Sequence, residues 1–169
     1  MKIAGIRKSL KIDNFKPVLI IIIFIIIIYS CNNKIVSEDY QILKNSEWSQ
    51  DSILVFVINI TDSTKIYNLS LSVRNEGRYP YSNLWLFISR ISPSGKELKD
   101  TVELTLATPN GIWLGSGLGY LYEKKYPYKR NIYFPGKGNY VINVRQGMRT
   151  ENGILKGIHD FGICLEKAW

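Results

Sequence analysis

Two cysteines and one histidine are the side chains of this 169-residue sequence with the strongest intrinsic reactivity, and their settings differ. Cys31 follows Ile28-Tyr29-Ser30, which puts an aliphatic residue three positions back and a small residue just ahead of the thiol. That is the setting of a cysteine that accepts a diacylglycerol group before a lipoprotein signal is cut, a transfer that needs the thiolate as nucleophile. Tyr29 departs from the small or aliphatic residue usual at its position. Lys2, Arg7, Lys8, Lys11 and Lys16 precede an unbroken apolar run over residues 18–28. As a helix that run is roughly 16 Å long, about half a bilayer's hydrocarbon core, so it reads as an export signal rather than a span. Two acyl chains supply the stable membrane attachment that one cannot. The expected organisation is a removed signal over residues 1–30, lipidated Cys31 with a flexible tether through residue 45, and one domain over residues 46–169.

The remaining reactive groups do not assemble into catalytic or metal-binding patterns. His159 alternates in phase with Phe161, Ile163 and Leu165, which predicts an inward or interfacial core residue rather than a catalyst. Asp160 would then point to the opposite face of the strand, out of reach for a His-Asp relay. Ser116 lies between Gly115 and Gly117, but a nucleophile elbow needs glycines where Leu114 and Leu118 stand. The same glycines fail the dinucleotide pattern at Tyr120, and no Lys-Ser or Lys-Thr follows for a phosphate loop. They are expected to allow a tight backbone path past Trp113. One histidine, one remaining thiol and scattered acids have no metal-ligand spacing. Cys164 lies in an apolar stretch and reads as a packed, inert thiol without a disulfide partner once Cys31 is acylated. No enzyme activity and no cofactor are expected.

The elements that would position these residues read as strands. Residues 53–60 are mostly apolar and predict a strand buried on both faces, whereas Tyr67, Leu69, Leu71 and Val73 alternate with polar residues as a half-buried strand does. Further strands are expected at residues 83–91, around Val102, Leu104 and Leu106, and at residues 131–134, 139–145 and 158–166. Turn-forming Pro-Ser-Gly-Lys, Pro-Asn-Gly, Pro-Gly-Lys-Gly and Glu-Asn-Gly sequences separate them. Seven or eight short strands without an amphipathic helix predict an all-β fold, a single antiparallel β-sandwich of jelly-roll or Ig-like form.

The sequence carries 22 Lys+Arg against 14 Asp+Glu, and much of that excess belongs to the signal. The residual positive balance argues for neither nucleic acid nor an acidic substrate. Between Tyr120 and Tyr133, aromatic and basic residues interleave, including Tyr126 and Tyr128 with Lys124, Lys125, Lys129 and Arg130. Two readings are open: an edge strand protected by lysines, or a surface that binds protein or glycan. Trp48, Trp85 and Trp113 are open in the same way, as core rings or as interface anchors.

An export signal followed by Arg74-Asn75, Tyr79-Pro80-Tyr81-Ser82-Asn83-Leu84-Trp85-Leu86-Phe87, Gly111-Ile112-Trp113-Leu114-Gly115-Ser116-Gly117 and Met148-Arg149 resembles the gliding-motility lipoprotein GldH family of Bacteroidota. The closing Leu155-Lys156-Gly157-Ile158-His159-Asp160-Phe161-Gly162 fits the same family. The resemblance implies a cell-envelope lipoprotein, anchored at the outer membrane, that serves gliding and is linked to type IX secretion. It also implies envelope proteins of those machineries as partners. It supplies no mechanism. The expected role is a docking module whose partner surface is formed or supported by Arg74, Trp85, Trp113 and Arg149. The alternative is a glycan-binding module that grips peptidoglycan or surface polysaccharide through Tyr126 and Tyr128. Ser37-Glu38-Asp39 resembles an acidic surface-export signal of that phylum, or is part of a solvated linker. Asp51-Ser52-Ile53, Asp62-Ser63-Thr64 and Asp100-Thr101-Val102 match its O-glycosylation pattern, with Ser63 the best placed on an expected exposed turn.

Overall fold

A computed structural model describes residues 34–168. In chain order the strands are β1 (Ile35–Ile42), β2 (Glu47–Ser49), β3 (Leu54–Ile60), β4 (Tyr67–Glu76), β5 (Asn83–Ile91), β6 (Glu97–Thr105), β7 (Leu121–Ile132), β8 (Gly138–Gln146), β9 (Ile154–Lys156) and β10 (Ile158–Lys167). Eight of them form two four-stranded sheets, β1-β10-β4-β7 and β3-β8-β5-β6, and β2 pairs with β9. All pairings within these sheets are antiparallel. The chain changes sheet at most connections, with β5 and β6 as the one hairpin within a sheet. This order is a jelly roll, which decides between the two expected sandwich forms.

The core follows from period-two alternation. Leu54, Phe56, Ile58 and Ile60 of β3 and Leu84, Leu86 and Ile88 of β5 face Leu69, Leu71 and Val73 of β4 and Phe161, Ile163 and Leu165 of β10, all buried. Burying these side chains is the main favourable term holding the sheets together. Trp48 on β2 is fully buried, its ring 5.7 Å from that of Phe161. The expectation of a strand buried on both faces at residues 53–60 is corrected: Ile53, Val55 and Val57 lie on the solvent side. Both faces of β3 are apolar, but only one is covered.

The expected tether is also corrected over most of its length. Residues 35–42, Ser37-Glu38-Asp39 among them, form edge strand β1 against β10, in a register that sets Tyr40 opposite Gly162. A Cβ at Gly162 would come within 2.5 Å of the Tyr40 ring, so the glycine makes room for the tyrosine to lie across it. Gln41 Nε2 donates to the Val55 carbonyl at 2.7 Å and ties β1 to the edge of the other sheet. A third correction concerns residues 131–134. The strand there is β7, which ends at Ile132 and takes in the whole aromatic and basic stretch. It is an edge strand, as the first of the two readings has it.

β1 begins at what is here termed the near end of the sandwich. Tyr67, Phe134 and Tyr140 stack edge to face there, with centroids 5.4 and 4.7 Å apart. The Lys167 N–H donates to the Lys34 carbonyl at 2.8 Å, and the turns at residues 61–66, 92–96 and 133–137 lie at the same end. The far end carries the connections at residues 77–82, 106–120 and 147–153. The glycine-rich loop does run close to β7 there: a Cβ on Gly117 would sit 2.0 Å from the Leu121 carbonyl oxygen.

Candidate functional site

Alternation in β5 drives Leu84, Leu86 and Ile88 inward and so turns Trp85 and Phe87 out, where they are 39% and 44% exposed. Phe87 pairs with Arg145 of β8, whose guanidinium carbon lies 5.6 Å from the ring centroid, within cation–π range. Beyond β8 the chain bends over the same strand. The Gly147 N–H donates to the Trp85 carbonyl at 2.7 Å, and the Trp85 N–H points at Met148 Sδ at 3.3 Å. A Cβ at Gly147 would approach the Phe87 ring to 3.0 Å, so the glycine permits this crossing. The result is a shallow cavity of about 430 Å³ lined by Tyr81, Asn83, Trp85, Gly147, Met148 and Arg149. A second hollow of about 500 Å³ continues along the outer face past Phe87, Arg145, Asn143 and Ile53. Trp85 and Arg149, far apart in sequence, are thus brought together. Tyr81, Phe87, Arg145 and Met148, which the sequence did not single out, complete an aromatic and arginine strip at the far end.

The other expected site residues are placed elsewhere. Trp113 is half-buried, its centroid 6.4 Å from Tyr79 and 5.8 Å from Tyr122, where it supports the glycine-rich loop. The Tyr126 hydroxyl donates to the Thr105 carbonyl at 2.8 Å, and the Tyr128 hydroxyl donates to Asp100 Oδ2. Both tyrosines therefore reach from β7 to β6 and close the open side of the sandwich. Burial pushes the Tyr126 phenol up to about 12; Tyr128 is raised by burial and then by its bond to Asp100. A stacking platform on these two rings has lost its free hydroxyls. Ser63 lies on the turn after β3, where Asp62 Oδ1 accepts from the Thr64 N–H at 3.0 Å and hydroxyl at 2.7 Å. Cys31 is outside the described residues.

Arg74 belongs to a partly buried polar cluster around the buried Asp160 carboxylate. Its Nε and one terminal nitrogen lie 2.7 and 2.6 Å from Asp160 Oδ2. The hydrogen bond to Asp160 is the chief reason its affinity for the proton is raised, with burial opposing. His159 Nδ1 lies 2.7 Å from the same oxygen, which corrects the expectation that the two side chains face opposite ways. The register of β10 on β4 shifts between Ile158 and Asp160, and this bulge takes His159 out of phase with Phe161. His159 is partly exposed rather than inward. Next to it Glu76 accepts from the Ser46 hydroxyl at 2.6 Å and is paired with Arg78. Among the described residues no group of three or more His, Cys, Asp or Glu side chains is placed to hold a metal ion.

Comparison with known proteins is decisive for the family. The family model described as GldH lipoprotein matches residues 35–165. The chain belongs to the GldH lipoprotein family. Among GldH relatives, the "Gliding motility lipoprotein GldH homolog" of Christiangramia forsetii is 39% identical over 156 residues, 89% of this chain and 95% of its own. The "Gliding motility lipoprotein GldH" of Flavobacterium johnsoniae is 35% identical over 153 residues, 88% of this chain and 94% of its own. Among solved structures, the insecticidal δ-endotoxin Cry8Ea1 of Bacillus thuringiensis superposes with a TM-score of 0.43 at 13% identity, covering 73% of this chain and 19% of the toxin. A likeness that loose carries no functional meaning. The GldH match spans the jelly roll from β1 almost to the end of β10 and includes the Trp85 and Arg149 strip.

Proposed function

We propose that this GldH-family protein is a non-catalytic docking subunit, held at the outer membrane by lipidated Cys31, that supports gliding motility and the associated type IX secretion machinery. The observation that carries the reading is the strip formed by Tyr81, Trp85, Phe87, Arg145, Met148 and Arg149 at the far end. Aromatic, methionine and arginine side chains are the types that protein interfaces concentrate, and here they are gathered into one exposed strip. The names of the relatives supply the process. Glycan binding through Tyr126 and Tyr128 is the weaker reading, because both hydroxyls are engaged within the fold.

Crosslinking in native envelopes with an affinity-tagged protein, followed by mass spectrometry, tests this function. Gliding or type IX secretion components should be enriched with the parent protein and lost with Trp85→Ala/Arg149→Glu and with Cys31→Ser. Equal capture by the strip variant would overturn the assignment of the surface. Retention of purified protein on insoluble peptidoglycan, without protein capture, would overturn the docking role.

A further inference from the structure

The near end of the sandwich is basic in a way the rest of the surface is not. Lys65 sits in the turn after β3, Lys96 in the turn after β5, and Lys137 in the segment before β8. Lys167 closes β10 and Arg130 stands near the end of β7; all five are exposed. The three turns share one rim: Lys65 and Lys137 both act on Asp62, and Pro93 lies against Gly138 at 2.9 Å from where a Cβ would stand. Asp62, Glu97 and Glu166 are the acids among them, and Glu97 is paired with Lys99. Glu76, Glu103, Glu123 and Glu151 lie toward the far end. Ile35 and Tyr133, 52% and 64% exposed, add an aliphatic and an amphipathic ring to the basic rim.

The strand order gives this rim a location. Because β1 starts at Ile35, Cys31 precedes the first strand by four residues, a span of at most about 14 Å when fully extended. The expected tether, through residue 45, would have allowed nearly four times that reach. With Cys31 acylated as proposed, a lysine-rich rim this few residues away is within reach of the lipid surface. We infer that the near end is a membrane-docking face, on which Lys65, Lys96, Arg130, Lys137 and Lys167 engage anionic phospholipid headgroups and hold the jelly roll upright, with the Trp85 and Arg149 strip turned away from the bilayer. The inference rests on the lipidation of Cys31 in the proposed function. Basic residues near an anionic surface each contribute to its attraction, within about a Debye length.

The test uses the full-length lipidated protein reconstituted in vesicles of phosphatidylcholine, with or without phosphatidylglycerol. Flotation reports the anchor, and amine-reactive labelling read by peptide mass spectrometry reports orientation. Lys65, Lys96, Lys137 and Lys167 should react about fivefold more slowly on anionic than on neutral vesicles, while far-end Lys44 and Lys156 are unchanged. The protection should disappear in about 1 M salt. In K65Q/K137Q/K167Q, flotation should persist and the protection of Lys96 should fall. Even labelling of all lysines on floated anionic vesicles would overturn the inference, as would failure to float. Partner capture through Trp85 and Arg149 alongside even labelling would remove this inference and leave the docking role standing; protected lysines without capture would do the reverse.

Discussion

His159 Nδ1 and Asp160 Oδ2 lie 2.7 Å apart although the two residues are consecutive in a strand. The β-bulge that joins them also lets Arg74 take the same carboxylate oxygen, while Asp160 Oδ1 is buried without a partner. An acid in this position is held by its two cationic or hydrogen-bonding neighbours.

Asp160→Asn should therefore destabilise the fold by about 1 to 2 kcal/mol in denaturant unfolding, since it leaves the Arg74 guanidinium, itself 35% exposed, facing a neutral amide in place of its carboxylate. The chain should remain folded at room temperature. A loss under about 0.5 kcal/mol, the scale of an ordinary surface change, would show that the cluster contributes little.

Acid should weaken the fold through Glu76. The Ser46 hydroxyl, and then Arg78, hold its carboxyl below the ordinary value of 4.5, against burial, which raises it. A carboxyl depressed in the folded state contributes stability that is fully present above its unfolded value and lost as pH falls through its folded value. The contribution should thus persist down to about pH 4.5 and decline below it. Glu76→Gln should flatten the pH dependence of unfolding in that acid window, which urea titrations at successive pH values would measure.

Gly162→Ala should loosen β1 without unfolding the sandwich. The added methyl would displace the Tyr40 ring, which a Cβ approaches to 2.5 Å. Hydrogen exchange should rise across residues 35–42 and stay unchanged in β5 and β8. A cross-strand contact of this kind is worth up to about 1 kcal/mol, or roughly a fivefold change in opening. Uniform exchange across the sheet would contradict it.

Arg149→Glu should alter unfolding free energy by less than about 1 kcal/mol, because its side chain is exposed, and Trp85→Ala, which removes a ring only 39% exposed, should cost about 1 to 2 kcal/mol without unfolding the protein. If the strip is the partner surface, colony spreading of cells carrying the double variant should nonetheless fail at normal protein levels. Wild-type spreading would separate the strip from motility.

Much of the fold was legible because β4, β8 and the body of β10 alternate cleanly. Strand β1 was not, because Ser37, Asp39 and Gln41 stand opposite Leu165, Ile163 and Phe161, so that Val36, beside a register shift, is its one residue packed on the apolar core. Its position depends on an open edge of β10 and on a glycine under Tyr40, neither of which periodicity reveals. In β3 and β5 both phases are apolar, and sequence cannot say which face a second sheet will cover. That is why Phe87 and Val55 were not recognised as surface residues. The bulge before Asp160 shifted His159 by one position, which reverses any assignment made by parity. Trp85 and Arg149 were legible as candidates, but their meeting required Gly147 to cross over β5.

The pairing of β1 with β10 has a mechanical consequence. Antiparallel ladder bonds run across the strands, and β1 runs from the near end toward the far end. Tension between the chain ahead of Lys34 and a load at the Trp85 strip would pull β1 lengthwise, so its ladder bonds to β10 share the force at once instead of opening one after another like a zip. In the proposed docking role the protein would thus meet traction in shear, the stronger geometry of a strand pair.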